Sequence, residues 1–96
     1  MIVSGGENVY SAEVENILAR HPAVAMCAVI GILHEQWGEA VHAVVVCKPG
    51  VQVDEVQLRL FCREFIAGYK CPKTVEFRDE LPLSAAGKVL KRELRK

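Results

Sequence analysis

At 96 residues, with 51% hydrophobic and 25% charged side chains, the chain has the composition of one small globular domain, neither disordered nor fibrous. Its 12 basic and 12 acidic residues cancel, which removes any broad pull towards nucleic acid or an anionic membrane. The charge is unevenly spread, however: Lys88, Lys91, Arg92, Arg95 and Lys96 against Glu93 give residues 88–96 a net +4, leaving −4 on the rest.

"MIVSGGENVY" has neither a basic start nor a long apolar stretch and is not expected to be a signal peptide. The spacing then predicts a helix over "SAEVENILARH". Ser11 is placed to cap it, Glu13 and Glu15 suit the positive end of its dipole, and Val14, Ile17 and Leu18 share a face. Residues 23–32, "AVAMCAVIGI", form an almost unbroken apolar run, as in a strand buried on both faces. A connection at "LHEQWGE" leads to a second strand over 40–48, and so short a link favours an antiparallel pair. Trp37 in that connection reads as a lid on the core edge, or as a contact for a partner.

Asp54 opens a second helix, with Gln57 placed to complete a capping box and Leu58, Phe61, Cys62 and Phe65 as its core stripe. Gly68 is the expected stop. Residues 74–78, "TVEFR", alternate as a third strand with Val75 and Phe77 inward. "DELPLSAAGK" reads as loop and "VLKRELR" as a short last helix. The expected fold is α+β, a three-stranded sheet with helices packed on it, in the order α-β-β-α-β-α.

Chemistry-bearing patterns are few. Cys27, Cys47, Cys62 and Cys71 lie 20, 15 and 9 positions apart, with no C-x-x-C, so reduced thiols and no metal site are expected. His21, His34 and His42 are scattered and read as structural. No apolar run reaches the length of a membrane span. "PLSAAGKV" fails as a phosphate-binding P-loop, since Pro82 stands where the first glycine belongs and Val89 where Ser or Thr must follow the lysine. On chemistry alone Lys88 reads as a solvated lysine on a glycine hinge, Gly87, that is still able to meet a phosphate as a point charge. The glycine pair of "SGGENVY" reads as a plain turn, or as backbone kept bare for a ligand. The basic end lacks aromatic interleaving, so nucleic-acid binding is not expected.

Taken in order, "MIVSGGENVYSAEVENIL", "GILHEQWGEAVHAVVV", "YKCPKTVEF" and "LPLSAAGKVLKREL" resemble consecutive stretches of the carboxy-terminal domain of the adenylate-forming enzymes, with the fatty-acyl and aryl CoA ligases nearest in wording. The resemblance covers essentially the whole chain. It implies that residues 1–96 are a single lid domain, with the large amino-terminal AMP-binding domain absent and the hinge residue upstream of Met1. It also implies a cytoplasmic acid–thiol ligase. A carboxylic acid, fatty or aryl, and ATP give an acyl adenylate, then a thioester with coenzyme A, while the isolated domain is expected to be inactive for full turnover.

Lys88 matches the family's adenylation lysine, and Gly87 the flexible point beside it. Gly5, Gly6, Glu7 and Asn8 match the stretch that lines the coenzyme A channel. The resemblance further implies magnesium with the triphosphate, no cofactor bound by this domain alone, and acetylation of Lys88 by a protein acetyltransferase. A non-catalytic protein-interaction module on the same scaffold is the alternative.

Overall fold

The computed structural model describes residues 2–36 and 38–94, with the side chains of Glu7 and Arg92 outside that description. Trp37, whose lid or partner role the sequence raised, therefore lies outside the described residues, as do Arg95 and Lys96 of the basic end. The elements are β1 (Ile2–Ser4), β2 (Glu7–Val9), α1 (Ser11–Leu18), β3 (Val24–His34), β4 (Gly38–Cys47), α2 (Glu55–Arg63) and β5 (Thr74–Phe77). Single 3-10 turns follow at Gly68–Lys70 and Lys91–Glu93.

The fold is α+β as expected, but the sheet has five strands rather than three. The additional pair comes from the glycine stretch. β1 and β2 form an antiparallel ribbon pairing Ile2 with Val9 and Ser4 with Glu7. Gly5 and Gly6 make its two-residue turn at φ 59° and 82°, the positive-φ pair that tight hairpins favour because it matches the twist of the strands. Three-residue strands are too short to display a period, which is why this segment reads as loop in the sequence. Ile2 and Val9 point into the core.

β3 and β4 form the long antiparallel pair that the short connection implied, running from Val24↔Cys47 to His34↔Gly38. On its other edge β4 meets β1 at Ser4↔Gly38 and then β5, which runs parallel from His42↔Thr74 to Val45↔Phe77. Parallel neighbours need a crossover connection, and α2 supplies it. Because side chains alternate along a strand, the β3–β4 pair buries two separate sets. Val29, Val41, Ala43 and Val45 join Val14, Leu18, Leu58 and Cys62 beneath the helices. Ala28, Ile30 and Val44 face the opposite way, towards Leu81 and Leu94 of the C-terminal segment.

α2 begins as its sequence prescribes. Asp54 Oδ1 accepts from the Gln57 amide at 2.8 Å and Gln57 Oε1 accepts from the Asp54 amide at 3.1 Å. The helix stops at Arg63, before Gly68, which instead opens a 3-10 turn. This leaves Phe65 beyond the last turn and 49% exposed, although Leu58 and Cys62 are buried. Phe77 is likewise 41% exposed rather than inward, while Val75 packs on the core.

Ser11 does not cap α1; the capping position is Tyr10, and the Ser11 hydroxyl accepts from Lys91 Nζ at 3.2 Å. The expected last helix reduces to one 3-10 turn. Val89 is already paired with Leu83 across a β-bridge, and the few residues left are too short for a helix to nucleate.

Among the described residues, Glu15, Glu39 and Glu55 reach strand backbone. Glu15 Oε2 accepts the Val29 amide at 2.8 Å, Glu39 Oε1 the Val3 amide at 3.0 Å, and Glu55 Oε2 the Val75 amide at 2.6 Å. Gly31 makes room for the second of these: a Cβ there would meet Glu39 Oε2 at 2.6 Å.

Candidate functional site

Lys88 stands at the end of a small closed loop. The Leu83↔Val89 bridge forms its neck, and the Leu90 amide donating to the Pro82 carbonyl at 2.8 Å seals it below. Within the loop, the Ser84 amide donates to the Lys88 carbonyl at 2.8 Å and the Lys88 amide to Ser84 Oγ at 3.2 Å. The Gly87 amide donates to the Ser84 carbonyl at 2.9 Å. Gly87 closes the turn at φ 82°, a conformation that side chains disfavour, with nothing within 4 Å of where its Cβ would be. The lysine thus leaves a defined backbone rather than a slack one, and Lys88 is exposed.

This loop rides on the sheet face away from the helices. Leu81 and Leu94, 5% and 6% exposed, seat its two ends on Ala28, Ile30 and Val44, with Val89 partly buried between them. Two other apolar residues of the segment are less covered: Leu83 is 46% and Leu90 37% exposed. A cation in a segment that also exposes two leucines is a surface suited to meeting another surface.

The glycine pair sits elsewhere, at the tip of the β1–β2 ribbon beside Gly38. Gly5 and Gly6 are exposed, a Cβ on Gly6 would meet nothing within 4 Å, and Asn8 points outward from β2. Glu7 contributes its backbone to the same strand. The structure therefore carries the two sequence-marked stretches on different elements. Two clefts of the fold lie apart from both stretches. One, of about 380 Å³, lies among Val46, Cys47, Val53, Phe77 and Asp79, and another, of about 280 Å³, among Arg59, Arg63, Cys71 and Lys73.

Several other titratable groups are buried or tied into the fold. Burial pushes the Cys62 thiol up to about 12, with Cys71 beside it adding to the effect, and burial raises Cys27 to about 11. Thiols so held are poor nucleophiles. His42 bridges β4 to β5, Nδ1 meeting Thr74 Oγ1 at 2.6 Å and Nε2 meeting Glu76 Oε1 at 3.1 Å. The Arg78 guanidinium on the other oxygen, then His42, hold the Glu76 carboxyl below its ordinary value. His21 Nδ1 accepts the Ala23 amide and His34 Nδ1 the Gln36 amide, each at 3.1 Å. Among the described residues no group of three or more His, Cys, Asp or Glu could hold a metal ion, and no helix is long and apolar enough to cross a membrane.

Sequence reasoning missed the partner of Lys91. Its Nζ lies 2.9 Å from Glu15 Oε2 and 3.2 Å from Ser11 Oγ, joining the C-terminal segment to α1. A pair so distant along the chain leaves no periodic trace; the faint signal was a second glutamate in a helix that needed only one near its start.

Residues 13–88 match the family model described as "AMP-binding enzyme C-terminal domain". Over all 96 residues the chain is 52% identical to a feruloyl-CoA synthase from Amycolatopsis sp and 51% identical to a 2-succinylbenzoate–CoA ligase from Geobacillus kaustophilus, covering 20% of each. Among solved structures, a Mycobacterium tuberculosis fatty acyl CoA synthetase superposes with a TM-score of 0.93 at 45% identity, over 99% of this chain and 19% of that one. ATP-bound MatB from Rhodopseudomonas palustris does so at 0.93 and 42%, over 97% of this chain and 18% of that one. The chain spans about a fifth of the length of the curated relatives it matches.

Proposed function

The chain belongs to the AMP-binding enzyme C-terminal domain family, and from that premise we propose that it is the lid domain of an ATP-dependent acyl-CoA ligase whose large domain holds the nucleotide. The observation that carries this reading is an exposed Lys88 on a backbone-locked loop, with the partly exposed Leu83 and Leu90 in the same segment.

In the first half-reaction a carboxylate oxygen attacks the α-phosphorus of ATP; the bond to the bridging oxygen breaks and pyrophosphate leaves. Lys88 holds the carboxylate and the phosphate oxygens together and offsets the charge gathering between them, without transferring a proton. Magnesium would neutralise the triphosphate, with ligands supplied by the large domain. In the second half-reaction the coenzyme A thiol attacks the acyl carbon, a C–S bond forms, the bond to AMP breaks, and the thiol proton passes to solvent. For this step the domain turns, Lys88 withdraws, and Gly5, Gly6, Glu7 and Asn8 line the channel for the thin thiol arm. Fatty or aryl acids are the substrate class, and the cytoplasm is the location.

The test restores the large domain and measures the two steps apart. Lys88→Ala should lower adenylate formation, read by pyrophosphate exchange, at least about 100-fold, the size of effect that losing one charge-stabilising donor produces. Thioester formation from a supplied acyl adenylate should stay within a few-fold. Undiminished adenylation ends the proposal. Acetylation of Lys88 by a protein acetyltransferase would cancel the same charge and should imitate the alanine variant; modification at another lysine, with activity whole, would remove that regulatory element.

A further inference from the structure

Loop geometry alone does not aim Lys88. The bonds between Ser84 and Lys88 and between Pro82 and Leu90 fix the loop's shape, and Leu81 and Leu94 hold its ends by apolar contact. Apolar contact is not directional, so a segment seated that way can slide or rock on the sheet. The directional tie comes from Lys91, which reaches α1. Its ammonium meets Glu15 Oε2 at 2.9 Å and donates to Ser11 Oγ at 3.2 Å. Glu15 cannot drift either, because the same oxygen accepts the Val29 amide at 2.8 Å on the outer side of β3, the strand that ends the sheet. One carboxylate therefore clasps three elements around a sheet edge: helix, strand and C-terminal segment.

Lys91 stands only three positions beyond Lys88, a span of at most about 11 Å of extended chain. Fixing the first sets where the stem of the second begins.

We propose that the Glu15–Lys91 pair, with Ser11, is a positioning device for the adenylation step. It orients the loop so that Lys88 projects towards the nucleotide when the two domains meet. The proposal rests on the adenylation reading given above. Both side chains are partly exposed, Glu15 at 24% and Lys91 at 34%, and exposed pairs contribute little to stability. The consequence of breaking the pair is therefore expected in catalysis rather than in folding, since small misplacements of a reacting group are amplified in rate.

In the enzyme with its large domain restored, Lys91→Met should lower the kcat of adenylation about 10-fold, with KM for ATP and thioester formation from supplied acyl adenylate each within about twofold. Glu15→Gln keeps an acceptor for Val29 but removes the charge; it should act in the same direction, and the double variant should lose no more than the larger single loss. Lys91→Arg should recover most of the rate. In the 96-residue chain, Lys91→Met should speed amide exchange at Ser84, Gly87, Lys88 and Leu90, leaving Val44 and Leu58 unchanged. Unaltered adenylation, or equal losses in both half-reactions, would overturn the positioning role, as would unaltered exchange in the loop. Lys88→Ala measured alongside separates the two ideas: if that variant adenylates normally, it is the underlying reading that has failed.

Discussion

The two faces of the β3–β4 pair are covered very differently. Beneath the helices, Val9, Val14, Leu18, Leu58 and Cys62 are fully buried against Val29, Val41 and Val45, so that β2, α1, α2, β3 and β4 interlock. Across the sheet, Ala28, Ile30 and Val44 are shielded by a segment with little regular structure, seated by Leu81 and Leu94. The first face is where a 96-residue chain gains its stability, since burial is limited at this size. The second is only thinly clad, and there the lysine is carried. If the domain works as proposed, delivering a charge and then withdrawing it, it needs a rigid half to turn as one body and a lighter half to present the group.

Substitutions can break that contrast. Leu58→Ala should cost about 3–4 kcal/mol, since the site is enclosed and leaves a cavity; a urea midpoint measures it. Leu94→Ala, at the rim of the thin face, should cost about 2 kcal/mol, because the segment settles into the space. Equal losses at the two positions would remove the distinction. Gly87→Ala should cost about 1 kcal/mol, all of it backbone strain at φ 82° with no clash, and should lower adenylation more than the urea midpoint.

The smallest effect is in acid. Glu76, held below its ordinary 4.5 first by Arg78 and then by His42, binds its proton more weakly in the folded state. Its contribution is whole above that ordinary value and disappears as pH falls through the lowered one. Unfolding followed from pH 6 downwards should therefore steepen less with acid in Glu76→Gln than in the parent chain.

What could be read from the residues was whatever repeats or caps locally. The Asp54–Gln57 box, the Leu58–Cys62 stripe and the doubly buried run around Val29 all carry their physics within a few neighbours. The β1–β2 ribbon escaped because three residues hold no period and a glycine pair between them looks like any turn. Phe77 was assigned inward by alternation, but at the end of β5 it faces an open cleft and stays 41% exposed. The last segment has a helical composition, yet the Leu83↔Val89 bridge claims its first residue. Lys88 and Gly87 were legible through the family's wording; the clasp at Lys91 was not, since its partner lies across the sheet edge.

Glu15 and Glu55 each occupy an amide of an edge strand, Val29 on β3 and Val75 on β5, with a carboxylate. A lobe that swings free of its neighbour shows its flanks to the crowd, and bare rungs on a flank invite another molecule's backbone to zip alongside. Plugging those rungs with anions would let a lobe that moves as proposed travel through solvent without sticking to its own kind.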